Sequence, residues 1–160
     1  LTSPPCPALP SALAYRAAEA AEYECLFALR TLAMARGQAT PKQLEPIDPQ
    51  HLKQSFLADM QGADAHIILH DGVEIGFYAL RRANDELLLS QLHLHPDWQQ
   101  RGIGSAVLQH ICEQARAQPA CNGALYVSAL RGSPANRFYE RHGFVKVGQS
   151  VWDIFYRKVL

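Results

Sequence analysis

The chain has no excess of either charge. Fifteen Lys and Arg stand against fifteen Asp and Glu, for a formal net charge of zero, and no block of one sign interrupts it. A basic face for nucleic acid or anionic lipid is therefore not expected. No apolar run approaches the roughly 20 residues a membrane helix needs, so no membrane partner is expected either. Cysteine is scarce: Cys6, Cys25, Cys112 and Cys121 form no C-x-x-C pair and no compact framework. A stapled secreted mini-domain is thereby disfavoured. No signal peptide is visible, and cytoplasm is the default expectation. Repeats and low-complexity tracts are absent. No third glycine follows Gly102 and Gly104 at G-x-G-x-x-G spacing, and no G-x-x-x-x-G-K-[ST] occurs, which disfavours dinucleotide oxidoreductases and P-loop NTPases. His66 and His70, like His93 and His95, have no Cys or carboxylate at matching spacing, so no metal site is expected.

What is present fits one domain over residues 12–160 behind an irregular arm, 1–11, that holds four prolines. Apolar residues make up 48%, ordinary for a chain with a real core. Cys25 and Cys112 lie in helical, mostly apolar patterns and are expected to be buried thiols. Residues 20–35 repeat Tyr23, Leu26, Phe27, Arg30 and Met34 at helical spacing, with Gly37 as the stop. Pro41, Pro46 and Pro49 mark a loop, and Asp48-Pro49 opens a helix over 49–60 that halts near Gly62. Strands follow at 65–70, 73–81 and 86–95, joined by turns at Asp71-Gly72 and 83–85. Then come a helix over 103–117, a strand over 124–130, a short helix over 134–142, and strands at 144–147 and 151–157. Antiparallel strands followed by βαβ alternation predict an α/β or α+β fold with a mixed sheet.

Two segments carry chemistry. In the first, the strand ending Leu92-His93-Leu94-His95 runs into Pro96 and a polar turn, Gln99-Gln100-Arg101-Gly102-Ile103-Gly104-Ser105, that opens a helix. Such a turn leaves backbone N–H groups unpaired at a helix's positive end, a seat for phosphate or diphosphate. The glycines let the backbone approach closely. In the second, Ser133 suits an N-cap, Pro134 the first turn and Gly143 the stop of a helix. Helical spacing puts Ala135, Asn136 and Tyr139 on one face.

Together these segments resemble the GCN5-related N-acetyltransferase family. Gln99, Gly102 and Gly104 match its acetyl-CoA motif Q/R-x-x-G-x-G/A. Phe138-Tyr139-Glu140-Arg141-His142-Gly143-Phe144 matches its later F-Y-E-R-x-G-F helix end. The likeness runs over roughly residues 12–157. It implies a mostly antiparallel sheet splayed between its fourth and fifth strands, and a first strand at 12–18, where composition alone favours helix. The implied reaction is acetyl transfer from acetyl-CoA, as co-substrate, to an amine, with no metal.

The resemblance also assigns roles. The loop Gln99 to Ser105 would take the diphosphate, and Leu92, His93 and Leu94 would pair with the pantetheine arm. The Leu94 N–H would support the thioester oxygen. Ser133, Ala135 and Asn136 would stand beside the cofactor, with Ser133 or Asn136 supplying a hydrogen bond. Tyr139 holds the family's general-acid position. The family's usual base positions fall near Leu88 and Ser90, neither of which is a base. His93 is the candidate instead, provided a bulge re-aims it, with Glu86 behind it. The acceptor would be a small-molecule amine or a peptide or protein amine, read by residues 20–62 and 148–152, and a homodimer is allowed. The rival expectation is a non-catalytic CoA-binding or sensing module on the same fold.

Overall fold

The computed structural model describes residues 13–35, 48–118 and 122–160. The expected arm over 1–11, the stop at Gly37, the loop prolines Pro41 and Pro46, and Cys6 and Cys121 lie outside these. Seven strands form one mixed sheet: β1 (Leu13–Ala17), β2 (Asp64–His70), β3 (Val73–Ala83), β4 (Glu86–Leu94), β5 (Ala124–Leu130), β6 (Val145–Gln149) and β7 (Asp153–Val159). Their spatial order is β1-β2-β3-β4-β5-β7-β6. The one parallel pair is β4 with β5; all other neighbours are antiparallel. This is the mixed sheet expected from the residue pattern.

Helices cover both faces. α1 (Tyr23–Ala35) and α2 (Pro49–Gln61) lie on one, and α3 (Ile103–Arg116) and α4 (Ala135–Arg141) on the other. α3 buries Val107, Leu108, Ile111, Cys112 and Ala115 against Tyr78, Leu80, Leu87, Leu89 and Leu125. That i, i+4 stripe is what fixes its orientation. On the opposite face Leu26, Phe56 and Met60 cover Ala65, Ile67, Phe77 and Ala79. α2 starts where its sequence says: the Gln50 N–H donates to Asp48 Oδ1 at 3.1 Å, with Pro49 in the first turn. The β2–β3 turn takes left-handed φ at Asp71 (49°) and Gly72 (82°), the geometry of a two-residue hairpin.

Some expectations shift. A 3₁₀ turn, Ala20–Glu22, precedes α1, and Glu22 closes it by accepting the Glu19 N–H at 2.8 Å. Cys112 is buried, but Cys25 is exposed. Leu26 faces the core, and one residue is about 100° of helix, so Cys25 turns outward. β6 and β7 lie one or two residues later than expected. Ser150 Oγ accepts the N–H groups of Trp152 (3.2 Å) and Asp153 (3.0 Å), which places the turn there.

One irregularity decides which way β4 points its side chains. Ala79 pairs with Gln91 and Leu80 with Leu89, leaving Ser90 as an extra residue on β4. Leu87 and Leu89 face α3, and after this bulge Leu92 and Leu94 do so too. Gln91 and His93 pair with Ala79 and Phe77 and so face α1 and α2, the side that Leu88 shares through its partner Arg81.

Candidate active site

β4 and β5 pair only over Leu87–Leu89 against Leu125–Val127. Beyond that, β4 continues to Leu94 on β3, and β5 continues to Leu130 on β7. The sheet is therefore splayed between its fourth and fifth strands, with open backbone edges over 90–94 and 128–130. The His95 N–H donates to Ile75 O in β3 at 2.7 Å. Backbone groups alternate sides along an extended strand, so the N–H groups of Leu92 and Leu94 are directed the other way, into the opening. The Leu94 carbonyl lies on that edge and accepts from Gln99 Nε2 at 2.9 Å. Gln99 Nε2 also lies 3.4 Å from Ala33 O of α1. The Gln99 side chain thus ties the following turn to the end of β4.

That turn is built to expose amides. Gln100 (φ 61°) and Gly102 (φ 79°) are both left-handed, and Gly102 caps α3 without any side-chain bond. The first helical bond runs from the Ala106 N–H to Gly102 O at 3.3 Å. The N–H groups of Ile103, Gly104 and Ser105 have no acceptor within the helix, at the positive end of a 14-residue helix. An anion fits here by charge and by hydrogen bonding. Arg101 places its guanidinium 5.3 Å from the Trp98 ring. Gly104 lies under Phe138, where a Cβ would come within 3.5 Å of that ring. The Ser105 hydroxyl is 2.9 Å from His142 Nε2, while His142 Nδ1 donates to Phe138 O at 2.7 Å. In the neutral ring Nε2 must then accept from Ser105.

A groove of about 530 Å³ continues from Ser105 along α3, lined by Arg116, Arg141, His142 and Lys158 among others. Of these, Arg116 and Lys158 were not singled out in the sequence, and Arg141 and His142 were quoted only within the helix-end motif; α4 and β7 bring Arg141 and Lys158 beside α3.

In α4 the residues expected on one face have different tasks. The N-cap is Pro134 and makes no side-chain cap, so Ser133 does not serve as one. Ser133 Oγ instead accepts from Asn136 Nδ2 at 3.3 Å. Asn136 Nδ2 also donates to Leu130 O (2.8 Å) and Ser133 O (3.0 Å), and its Oδ1 accepts from the Tyr156 hydroxyl at 2.8 Å. All its polar atoms are engaged within the protein. Ala135 packs at the margin of the core.

Tyr139 is buried against Phe138, Phe144 and Tyr156 on the α3 face. Its hydroxyl has no hydrogen bond among the described residues. It is also not among the buried side-chain atoms left without a partner, so the oxygen reaches accessible space. Burial raises its pKa well above the ordinary phenol value, keeping the proton on.

His93 occupies the opposite face. Its ring centroid is 5.3 Å from that of Phe77, and its Nε2 is 2.9 Å from Gln91 Oε1. Gln91 Nε2 donates to Asp59 Oδ2 at 3.1 Å, and Arg81 Nη1 donates to Asp59 Oδ1 at 3.1 Å. Desolvation first, then the Arg30 charge, lower its pKa to about 3, so the imidazole is neutral near pH 7. Glu86, the other base candidate, begins β4 in an exposed position, eight residues and about 25 Å of strand from Leu94. That separates it from the Leu94 end of the opening. Cys112 is a buried thiol whose pKa burial raises, which suits packing rather than nucleophilic attack. Among the described residues no three His, Cys, Asp or Glu side chains gather to hold a metal, and no helix is long and apolar enough to cross a membrane.

Residues 61–146, more than half the chain, match the family model described as an acetyltransferase (GNAT) domain. No curated protein matches the sequence. Among solved structures, the PaiA N-acetyltransferase of Thermoplasma acidophilum, in complex with coenzyme A, superposes with a TM-score of 0.73 at 15% identity, covering 93% of this chain and 99% of that one. A GCN5-related N-acetyltransferase from Rhodopseudomonas palustris gives 0.72 at 21%, covering 92% and 95%. The ribosomal-protein-S18-alanine N-acetyltransferase of Escherichia coli gives 0.67 at 16%, covering 92% and 93%. At these identities the likeness is one of fold.

Proposed function

Because the chain belongs to the GNAT acetyltransferases, we propose that it moves an acetyl group from acetyl-CoA to a primary amine by direct attack on the thioester. The observation that carries this reading is the parting of β4 from β5 directly beside an uncapped, glycine-bent entry to α3. Acetyl-CoA is the substrate whose shape matches both parts. Its diphosphate would sit on the amides of the Gln100–Ser105 turn. Its pantetheine amides would pair with the open edge at Leu92–Leu94.

The chemistry then divides among three groups. The Leu94 N–H supports the carbonyl oxygen as negative charge grows there, a kind of contact that lowers a barrier by about 3–4 kcal/mol. The amine nitrogen bonds to the carbonyl carbon and gives up a proton to His93. The carbon–sulfur bond breaks, and Tyr139 passes its proton to the leaving thiolate. The phenol's high pKa keeps it protonated beforehand, and solvent restores both groups between turnovers. His93 is a weak base while it stays neutral, so it serves as proton acceptor only as the amine becomes acidic on bonding.

The acceptor is a small-molecule amine or the amine of a peptide or protein. Incubation with acetyl-CoA and a panel of such amines, read by release of free thiol, tests the reading. Acetylated product from any of them supports it. Tight acetyl-CoA binding with no turnover across the panel points instead to a CoA-binding or sensing module.

A further inference from the structure

A chain of side chains crosses from α2 to β4 behind the active-site edge. Asp59 accepts from Arg81 in an ion pair, and a carboxylate only accepts. Gln91 must therefore turn its NH₂ toward Asp59, and it does so at 3.1 Å. Its carbonyl oxygen is thereby aimed at His93 Nε2, 2.9 Å away. An amide oxygen only accepts, so Nε2 must carry the proton. In a neutral imidazole the other nitrogen is then bare. His93 Nδ1 has no hydrogen bond among the described residues, and it is not among the buried atoms left without a partner. Its lone pair is accessible.

We propose that Asp59 and Gln91 are positioning residues that lock His93 in its Nε2–H form, leaving Nδ1 as the nitrogen that receives the acceptor's proton. The purpose of the lock rests on the base role given to His93 above; the lock itself does not. Arg30 from α1 acts on the ring through its charge, while Asp59 from α2 bonds Gln91 and pairs with Arg81 from β3. The Arg30 cation disfavours a second proton on the resting ring, so the form set by Gln91 persists until the amine bonds to the carbonyl carbon and becomes the stronger acid. A second-layer partner that selects the tautomer is a recurring way to aim an imidazole. The Ser90 bulge is what makes it available here, since without it Gln91 and His93 would face α3.

The test uses the full chain labelled with ¹⁵N-histidine, with His93 assigned from the signal lost in His93→Gln. Long-range ¹H–¹⁵N correlation near pH 7.5 should place Nε2 in the protonated range and Nδ1 in the unprotonated range. Gln91→Met removes the acceptor and should yield mixed tautomers, with kcat down about tenfold and KM for acetyl-CoA unchanged. Wild-type His93 found as Nδ1–H, or a tautomer unmoved in a folded Gln91→Met, overturns the proposal. If the tautomer shifts but turnover does not, the lock stands and the base role of His93 fails.

Discussion

Tyr139 and His93 lie on opposite faces of one sheet, the phenol in the α3/α4 layer and the imidazole in the α1/α2 layer. Between them runs the open β4 edge that ends at Leu94. Attack and expulsion at a carbonyl carbon need a proton acceptor near the entering nitrogen and a donor near the departing sulfur. With the roles proposed above, the two faces of a parted sheet would separate those tasks and keep the acid and base from neutralising one another.

The acid role makes Tyr139→Phe informative. The hydroxyl bonds to nothing among the described residues, so its loss should leave the melting temperature within about a degree. Turnover should fall about 10²-fold or more, the usual range for a lost general acid, with KM for acetyl-CoA little changed. Steady-state kinetics beside a melting curve check this. An unchanged kcat removes the acid role.

Gly102 tests the diphosphate seat. Its φ of 79° is one a β-branched residue adopts only with strain, although a side chain would meet nothing within 4 Å. Gly102→Val should cost about 1–2 kcal/mol of stability. It should also shrink the rise in melting temperature that acetyl-CoA produces by mass action. An equal ligand-induced rise in both proteins would show that the diphosphate sits elsewhere.

Gly76 sets how closely β3 approaches β4. A Cβ there would fall 2.3 Å from His93 O, a backbone atom that cannot swing aside. Gly76→Ala should therefore cost about 1–3 kcal/mol by overpacking and lower kcat by displacing the Leu94 N–H. Urea denaturation and kinetics on the same sample read both. A stable, fully active variant would mean that β3 and β4 tolerate separation at this point.

Acid should weaken the fold through His93. Its folded pKa is lowered to about 3, while the unfolded chain takes up the proton near 6.5. The group contributes nothing to the pH dependence above that range. Between there and about pH 3 the unfolded state binds the extra proton, so stability falls with falling pH, by about 1.4 kcal/mol per unit. His110, whose pKa burial also lowers, acts in the same direction. Urea unfolding at pH 7.5 and 5.5 should show a smaller loss in His93→Gln than in wild type.

Much of this was legible in the residues, for reasons that differ by element. The α3 stripe and the Asp71-Gly72 turn write their geometry locally, one as a period and the other as a need for left-handed φ. The bent, uncapped entry to α3 was legible because glycines and an apolar-periodic helix stand together. The direction of His93 was not, because one extra residue at Ser90 reverses every side chain after it, and nothing in Leu-Leu-Leu-Ser-Gln marks where a bulge falls. The engagement of Asn136 was hidden too, since its partners Leu130 and Tyr156 meet it only once α4 folds back over β5 and β7. Spacing put Asn136 beside Tyr139, but tertiary contacts gave it another task.

Only three residue pairs join β4 to β5. The sheet thus closes there along a short seam, which α3 spans by packing on β3, β4 and β5 alike. A thioester arm laid into that seam would add backbone rungs on its free side and act as mortar between the halves. Amide hydrogens of residues 87–89 and 125–127 should then exchange more slowly once the ligand is in place, so that the enzyme is stiffest at the moment its chemistry begins.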